Sequence, residues 1–217
     1  MSKLFIEYLH YTRVKLKLNR KSELLRILNK QSPLSILEIG VDEGENSVRL
    51  ISELSKKVPI SKIRFVGIDL FDLMNPGIAK NEASQIPKSK LDVEILLTSN
   101  FPNLNFELLE GDSNEILSTV NENFEFIFID GGHSYETVKK DLKLSESILS
   151  EGGTIVLDDY TNRKAETKAG YGVARLVNEL DKNKWNIKIS KLPDFFWHPW
   201  GMLVTRLVVL KKPLIQV

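Results

Sequence analysis

Two apolar periods alternate along the chain. The runs 34–39, 63–69, 105–109, 124–130 and 154–158 are short and dense in Ile, Leu, Val and Phe, which predicts strands. Between them, apolar residues recur three and four apart, which predicts helices over 47–57, 91–99, 114–120 and 135–149. Val48, Leu50, Ile51 and Leu54 make one such face; Val138, Leu142, Ile148 and Leu149 make another. Gly152-Gly153 is expected to close the 135–149 helix, as glycines past a helix end often do. A helix over 173–180 and strands over 186–190 and 202–210 follow. Upstream, Leu24, Leu25, Ile27 and Leu28 predict a helix over 22–29, with a break at Pro33. Leu4, Phe5, Tyr8, Leu9 and Tyr11 predict an earlier helix, packed on the domain or against a second subunit in a homodimer.

This order implies an N-terminal helical segment, 1–32, and one α/β domain, 33–217, whose mostly parallel sheet carries helices on both faces. The nearly unbroken apolar run of the fourth strand fits a strand covered on both sides. In such sheets ligands bind past the carboxyl ends of the strands, where strand order reverses. The strand ends are accordingly the residues to inspect. The first offers Glu38, Gly40 and Gly44; the second, Asp69; the third, Gly111, Asp112 and Ser113; the fourth, Asp130 to His133; the fifth, Asp158, Asp159 and Tyr160. Gly40 lets the backbone turn sharply and approach a ligand, and Gly44 can do so one turn later. Asp42, Glu43 and Glu45 put negative charge where a pyrophosphate would sit, so the turn suits a ligand bearing positive charge. Asp69 stands one β-α-β step later, where a carboxylate can accept hydrogen bonds from ribose hydroxyls; Asp72 is a weaker candidate.

Charge and composition narrow the classes. Lys and Arg number 30 against 29 Asp and Glu, a net charge of +1, which argues against a dedicated nucleic-acid binder. The chain has no cysteine, so disulfide scaffolds, Cys-ligated metals and thiol nucleophiles are excluded. No apolar run approaches the ~20 residues of a membrane span, and the start lacks the apolar core of a signal peptide. A cytoplasmic protein is expected.

Leu37-Glu38-Ile39-Gly40-Val41-Asp42-Glu43-Gly44, Gly67-Ile68-Asp69, Gly111-Asp112-Ser113, Ile129 to Tyr135 and Gly152 to Tyr160 together resemble a class I S-adenosylmethionine-dependent methyltransferase. Within that class they look like the small-molecule O-methyltransferases of macrocin and catechol type, over residues 34 to 210. The resemblance implies a three-layer Rossmann-like fold with seven strands, the last antiparallel. It implies that Gly40 and Gly44 flank the methionine part of the donor, with Glu38 and Ser47 on the same loop. It puts Asp69 on the ribose, Asp112 and Ser113 beside the adenine, and Asp130 beside the sulfonium. Where relatives often carry Gly-Ser, this chain has Glu45-Asn46-Ser47, with Asn46 able to hydrogen-bond the donor carboxylate.

Asp130, Asp158 and Asp159 would repel one another on neighbouring strands ~4.8 Å apart. A divalent cation such as Mg2+ would resolve this and lower the pKa of a bound hydroxyl; metal-dependent relatives place acidic ligands there. Consecutive strand residues face opposite ways, so both Asp158 and Asp159 serve only if the strand has ended. His133 is a candidate general base. Arg163, Lys164 and Lys168 read as a basic loop, and Phe195 to Trp200 as an aromatic link or a lid over the acceptor. The expected reaction is methyl transfer to a hydroxylated small molecule, a sugar or natural-product type. The alternatives are a nicotinamide oxidoreductase, opposed by the acidic turn and a missing G-x-G-x-x-G, and a silent binding or assembly protein on the same scaffold. A nucleic-acid methyltransferase is opposed by Asp130-Gly131-Gly132-His133 where an Asn/Asp-Pro-Pro run is usual.

Overall fold

The computed structural model describes residues 3–82, 87–198 and 200–213. Residues 83–86 of the long 72–90 connection, Pro199 of the aromatic segment, and 214–217 at the end of the 33–217 domain lie outside the described residues. Among the described residues eight strands form one sheet: β1 (Ser35–Ile39), β2 (Arg64–Asp69), β3 (Asn105–Glu110), β4 (Phe124–Ile129), β5 (Leu149–Tyr160), β6 (Asn186–Ile189), β7 (Asp194–His198) and β8 (Gly201–Lys211). Their order is β3-β2-β1-β4-β5-β8-β6, with β7 paired to β8 alone. β1 to β5 are parallel, and β8 runs antiparallel to β5, β6 and β7. Strand order reverses between β1 and β4, so their carboxyl ends open a crevice at the switch point.

The helices are α1 (Lys3–Lys15), α2 (Arg20–Gln31), α3 (Glu45–Leu54), α4 (Pro76–Asn81), α5 (Lys90–Asn100), α6 (Ser113–Leu117), α7 (Tyr135–Ser147), α8 (Arg163–Ala169) and α9 (Val173–Glu179). Strand parity sorts two cores. Leu37, Ile39, Ile127, Ile129, Ile155 and Leu157 pack with Val138 and Leu142 of α7 and Val173 and Leu176 of α9. Ile36, Phe126, Phe128 and Val156 pack with Leu24 and Leu28 of α2, Leu50 and Ile51 of α3, and Val93 and Leu97 of α5. The expected three layers are therefore present. No helix among the described residues is long and apolar enough to cross a membrane.

The sheet differs from expectation at three places. The segment expected to link the last two strands contains β7, which pairs Asp194–His198 with Gly201–Thr205 and carries β8 past the end of β5. The β-forming Phe-Phe-Trp run accounts for it. Gly152-Gly153 does not close a helix: α7 ends at Ser147, Leu149 already pairs with Phe124, and the glycines sit in a register shift of β5. The basic loop is the short helix α8, capped by the Asn162 side chain and ended by a left-handed Gly170. On α1 only Ile6 is buried; Leu4, Phe5, Tyr8 and Tyr11 are exposed on the single chain.

Candidate active site

A cavity of about 890 Å3 opens at the carboxyl ends of β1, β2 and β4. Gly40, Asn46, Asp69, Asp112, Ser113, Asp130, His133 and Asp159 all line it, as do the acidic Asp42, Glu43 and Glu45. Glu38, Gly44, Ser47 and Asp158, expected as ligand contacts, do not line it. Gly44 caps α3 in the left-handed region, at φ +77°. Asp72 faces elsewhere, accepting from the Lys90 backbone.

Glu38 is buried by parity. It points to the α2/α3 side with Ile36, and the Ser47 hydroxyl of α3 donates to its Oε2. Burial pushes this carboxyl up to about 8 against the pull of that hydrogen bond, so the folded chain keeps a proton that the unfolded chain loses near the ordinary value of 4.5. Between those values the unfolded state binds fewer protons, and stability must fall as pH rises, by about 1.4 kcal/mol per unit for one group. Glu38→Gln removes this slope. Thermal unfolding between pH 5 and 8 should show the variant gaining steadily on the parent, and parallel curves would contradict the buried, protonated state.

On the donor side of the cavity, Asp69 braces the glycine turn. Its Oδ2 accepts from the Val41 and Asp42 backbones at 2.7 and 2.8 Å, and its Oδ1 from Phe71 at 3.1 Å. A carboxylate has about four acceptor positions, which leaves capacity for a hydroxyl. Asp112 caps α6 by accepting from Asn114. Ser113 donates to Asp141 of α7 at 2.6 Å, and burial pushes that carboxyl up to about 7. Asn46, expected on the donor carboxylate, reaches Asp130 Oδ2 at 3.2 Å.

The other side gathers charge. Asp158 shares the parity of Val156 and so faces α2. Asp159 adopts φ +55° within a register shift of β5, which brings its carboxylate to the same side. The strand thus ends regular pairing where both carboxylates can converge. They converge on Arg20, whose Nη1 bonds Oδ1 of both. Asp194 of β7 accepts from the Arg20 backbone at 3.2 Å and lies 3.4 Å from its Nε. Burial alone would lower the Arg20 pKa, but Asp158, Asp159, Asp130 and Asp194 raise it.

His133 Nε2 lies 2.6 Å from Asp159 Oδ2, and Nδ1 lies 3.0 Å from the Glu82 carbonyl. A carbonyl only accepts, so Nδ1 carries a hydrogen. Burial would lower this imidazole, yet the Asp159 hydrogen bond and charge raise it. Both ring nitrogens thus face acceptors, an arrangement that favours the imidazolium, and the ring stacks on Tyr171 at 4.8 Å. A raised pKa works against the general-base role expected from sequence, because it favours the ring that already carries its protons. Burial would also raise Asp159, but Arg20 and His133 hold it well below the usual range. Asp158 goes up with burial despite Arg20. Asp130 is pushed up to about 7, by burial first and Asp159 second, against Arg20.

Asp130, His133 and Asp159 each bring a possible metal-ligating atom within 4.8 Å of the others. The residues nevertheless do not fit a divalent cation as they stand. Nε2 of His133 is turned to Asp159 with a hydrogen, and Oδ1 of Asp158 and Asp159 both hold Arg20. The expected Asp130–Asp158–Asp159 ligand set is neutralised by a guanidinium.

Sequence reasoning missed Arg20, Asp194, Glu82 and Asp141. Glu82 holds the turn before α7, its carboxylate accepting from the Ser134 backbone and Thr137 hydroxyl. A signal for Arg20 existed: three strand-end carboxylates with no cation assigned require one, and Asn19 marks the helix start that presents it.

A known family describes this arrangement. Residues 37–160 match the family described as "Methyltransferase domain". An uncharacterized protein of Acanthamoeba polyphaga mimivirus is 26% identical over 157 residues, 72% of this chain, which spans 65% of that protein, less than two thirds. The O-methyltransferase TomG of Streptomyces achromogenes, solved with SAM, superposes with a TM-score of 0.60 at 18% identity, covering 88% of this chain and 79% of TomG. The N-methyltransferase NodS of Bradyrhizobium japonicum superposes at 0.58 and 12% identity, covering 89% and 95%. The two structures share the fold and differ in the atom named as methyl acceptor. The family match runs from β1 to the end of β5, more than half of the chain, and with it this protein belongs to the methyltransferase-domain family.

Proposed function

We propose that this chain is an S-adenosylmethionine-dependent methyltransferase acting on a hydroxyl of a small molecule. One observation carries the reading: the glycine turn, Asp69 and Asp112 open into the same cavity as Asp130, His133 and Asp159. Donor and acceptor positions thus share one space. At about 890 Å3 it lies within the range of small-molecule sites. The acidic turn residues on its wall suit a cationic donor and oppose a pyrophosphate.

When bound, S-adenosylmethionine supplies a methyl group on a positively charged sulfur, and transfer forms an oxygen–carbon bond as the sulfur–carbon bond breaks. Asp69 holds the ribose and the Gly40 turn flanks the methionine part, with Asp112 and Ser113 on the base. Asn46 fixes Asp130 at the junction of the two halves. A hydroxyl is a poor nucleophile and must lose its proton. Asp130, with a carboxyl near 7, takes that proton, and its competent fraction grows as pH rises through that value. His133, facing Asp159 and the Glu82 carbonyl, orients the wall beside Tyr171. Phe196 and Trp197 of β7, with Met74 and Ile78, give the acceptor an apolar seat.

Calorimetry separates this reading from the nicotinamide one. S-adenosylhomocysteine should bind one per chain, and NAD should not bind under the same conditions. NAD binding with no response to S-adenosylhomocysteine would overturn the assignment.

A further inference from the structure

Arg20 comes from α2, ahead of the residues that match the family, yet it reaches the centre of the site. Three separate backbone devices aim at its guanidinium. Strand parity turns Asp158 toward α2, and the left-handed φ of Asp159 adds the next carboxylate. Asp194 of β7 holds the first turn of α2 through the Arg20 backbone. The four side chains are all nearly buried, Arg20 at 10% exposure and Asp158, Asp159 and Asp194 at 7, 10 and 3%. The guanidinium carbon lies 5.6 Å from the centre of the Phe196 ring.

We infer that Arg20 occupies the cation position of this site, so that the chain carries a built-in guanidinium where a divalent metal would otherwise sit and works without one. The inference rests on the methyltransferase reading above. Arginine stays protonated at any working pH and presents its donors in a fixed fork. It can therefore neutralise Asp158 and Asp159 permanently, as an exchangeable ion cannot. Removing one partner of a buried ion pair leaves uncompensated charge. A metal entering this position would have to expel Arg20 from both carboxylates and turn the His133 ring away from Asp159. Arg20 also lines the cavity, and its Nη2 makes no hydrogen bond among the described residues. That nitrogen can donate to an acceptor oxygen, holding it by a hydrogen bond where a metal would coordinate it.

The test is Mn2+ titration followed by electron paramagnetic resonance, on the full chain with and without S-adenosylhomocysteine. The parent protein should bind no Mn2+ below about millimolar concentration, with S-adenosylhomocysteine binding unchanged by a chelator. Arg20→Ala, which frees the carboxylates, should gain one Mn2+ site at least tenfold tighter than the parent. Adding Asp159→Asn should abolish it. Arg20→Gln, which keeps donors without charge, replaces the alanine variant should that one not fold; if neither folds, the parent titration decides. One tight Mn2+ per parent chain, lost on Asp159→Asn, overturns the inference. So does a folded Arg20 variant that gains no site. Failure to bind S-adenosylhomocysteine would sink the functional reading instead and leave the Mn2+ result to stand by itself.

Discussion

Gly40→Ala is expected to destabilise the fold by at least ~3 kcal/mol and to remove donor binding with it. Gly40 sits at φ +89°, where an L side chain is strained. The larger effect is steric. A Cβ there would lie 2.2 Å from the Asp130 carbonyl oxygen, 2.4 Å from its carbon and 2.6 Å from the Gly131 Cα. All three are backbone atoms, so no rotamer change relieves the clash. The strands around them are tied on both sides. The Gly40 N–H donates to Ile68 O at 2.9 Å, and the Asp130 N–H donates to Ile39 O at 2.8 Å. Moving Gly40 pulls on β2, and moving Asp130 opens the β1–β4 crevice. Gly170→Ala is the control. It also has a positive φ, +80°, but a Cβ would meet nothing within 4 Å. Backbone strain alone gives about 1–2 kcal/mol there. By thermal unfolding, Gly40→Ala should lose roughly 6 °C or more and Gly170→Ala at most about two thirds of that, at ~2–4 °C per kcal/mol for a domain of this size. Equal losses would mean that close approach at Gly40 is not what the turn requires.

The same turn shows what the residues alone could reveal. A glycine at the end of a strand covered on both faces, followed by acidic residues, is a local pattern, and so is an aspartate ending the next strand. Parallel topology then puts all such ends on one rim, so Gly40, Asp69, Asp112 and Asp130 could be gathered without coordinates. Glu38 was legible too, and misjudged. It lies between Leu37 and Ile39 in a strand whose two faces are both covered, and such a carboxyl must be buried on one side or the other. That the strand-end carboxylates need a cation was legible; which side chain supplies it was less so. Arg20 stands in a segment with Lys21, Arg26 and Lys30, and nothing in residue type distinguishes the one buried guanidinium from solvated neighbours. Its burial depends on β7, whose pairing joins Asp194–His198 to Gly201–Thr205. A proline beside an aromatic run reads as a link until the partner strand is in view. The role of His133 depended on the same long-range geometry. A histidine after Asp-Gly-Gly suggests a base, and only the Glu82 carbonyl, 51 positions earlier in the chain, and the Asp159 carboxylate show that both ring nitrogens face acceptors, which favours the charged form.

Asp69→Ala is expected to weaken S-adenosylhomocysteine binding by ~1.5–3 kcal/mol or more, on the order of 10- to 150-fold, from the loss of hydrogen bonds to a charged group. Two contributions are combined in that figure. Asp69 accepts from Val41, Asp42 and Phe71, so its removal loosens the turn that approaches the donor. It also lines the cavity with acceptor capacity left for a ribose. The two can be separated with adenosine and 2′-deoxyadenosine as ligands. If Asp69 holds the ribose, the parent protein should prefer adenosine over the deoxy analogue, and Asp69→Ala should bind both equally. If it only braces the turn, both ligands should weaken by the same factor and the parent should not discriminate between them. Asp69→Asn sharpens the comparison. Its amide oxygen can still accept from Val41 and Asp42, while its amino group can accept neither from a hydroxyl nor from the Phe71 N–H. It should therefore retain more of the thermal stability than Asp69→Ala and still lose the preference for adenosine. An Asp69→Asn variant that discriminates as the parent does would remove the carboxylate from the ribose and leave it as a brace for the glycine turn.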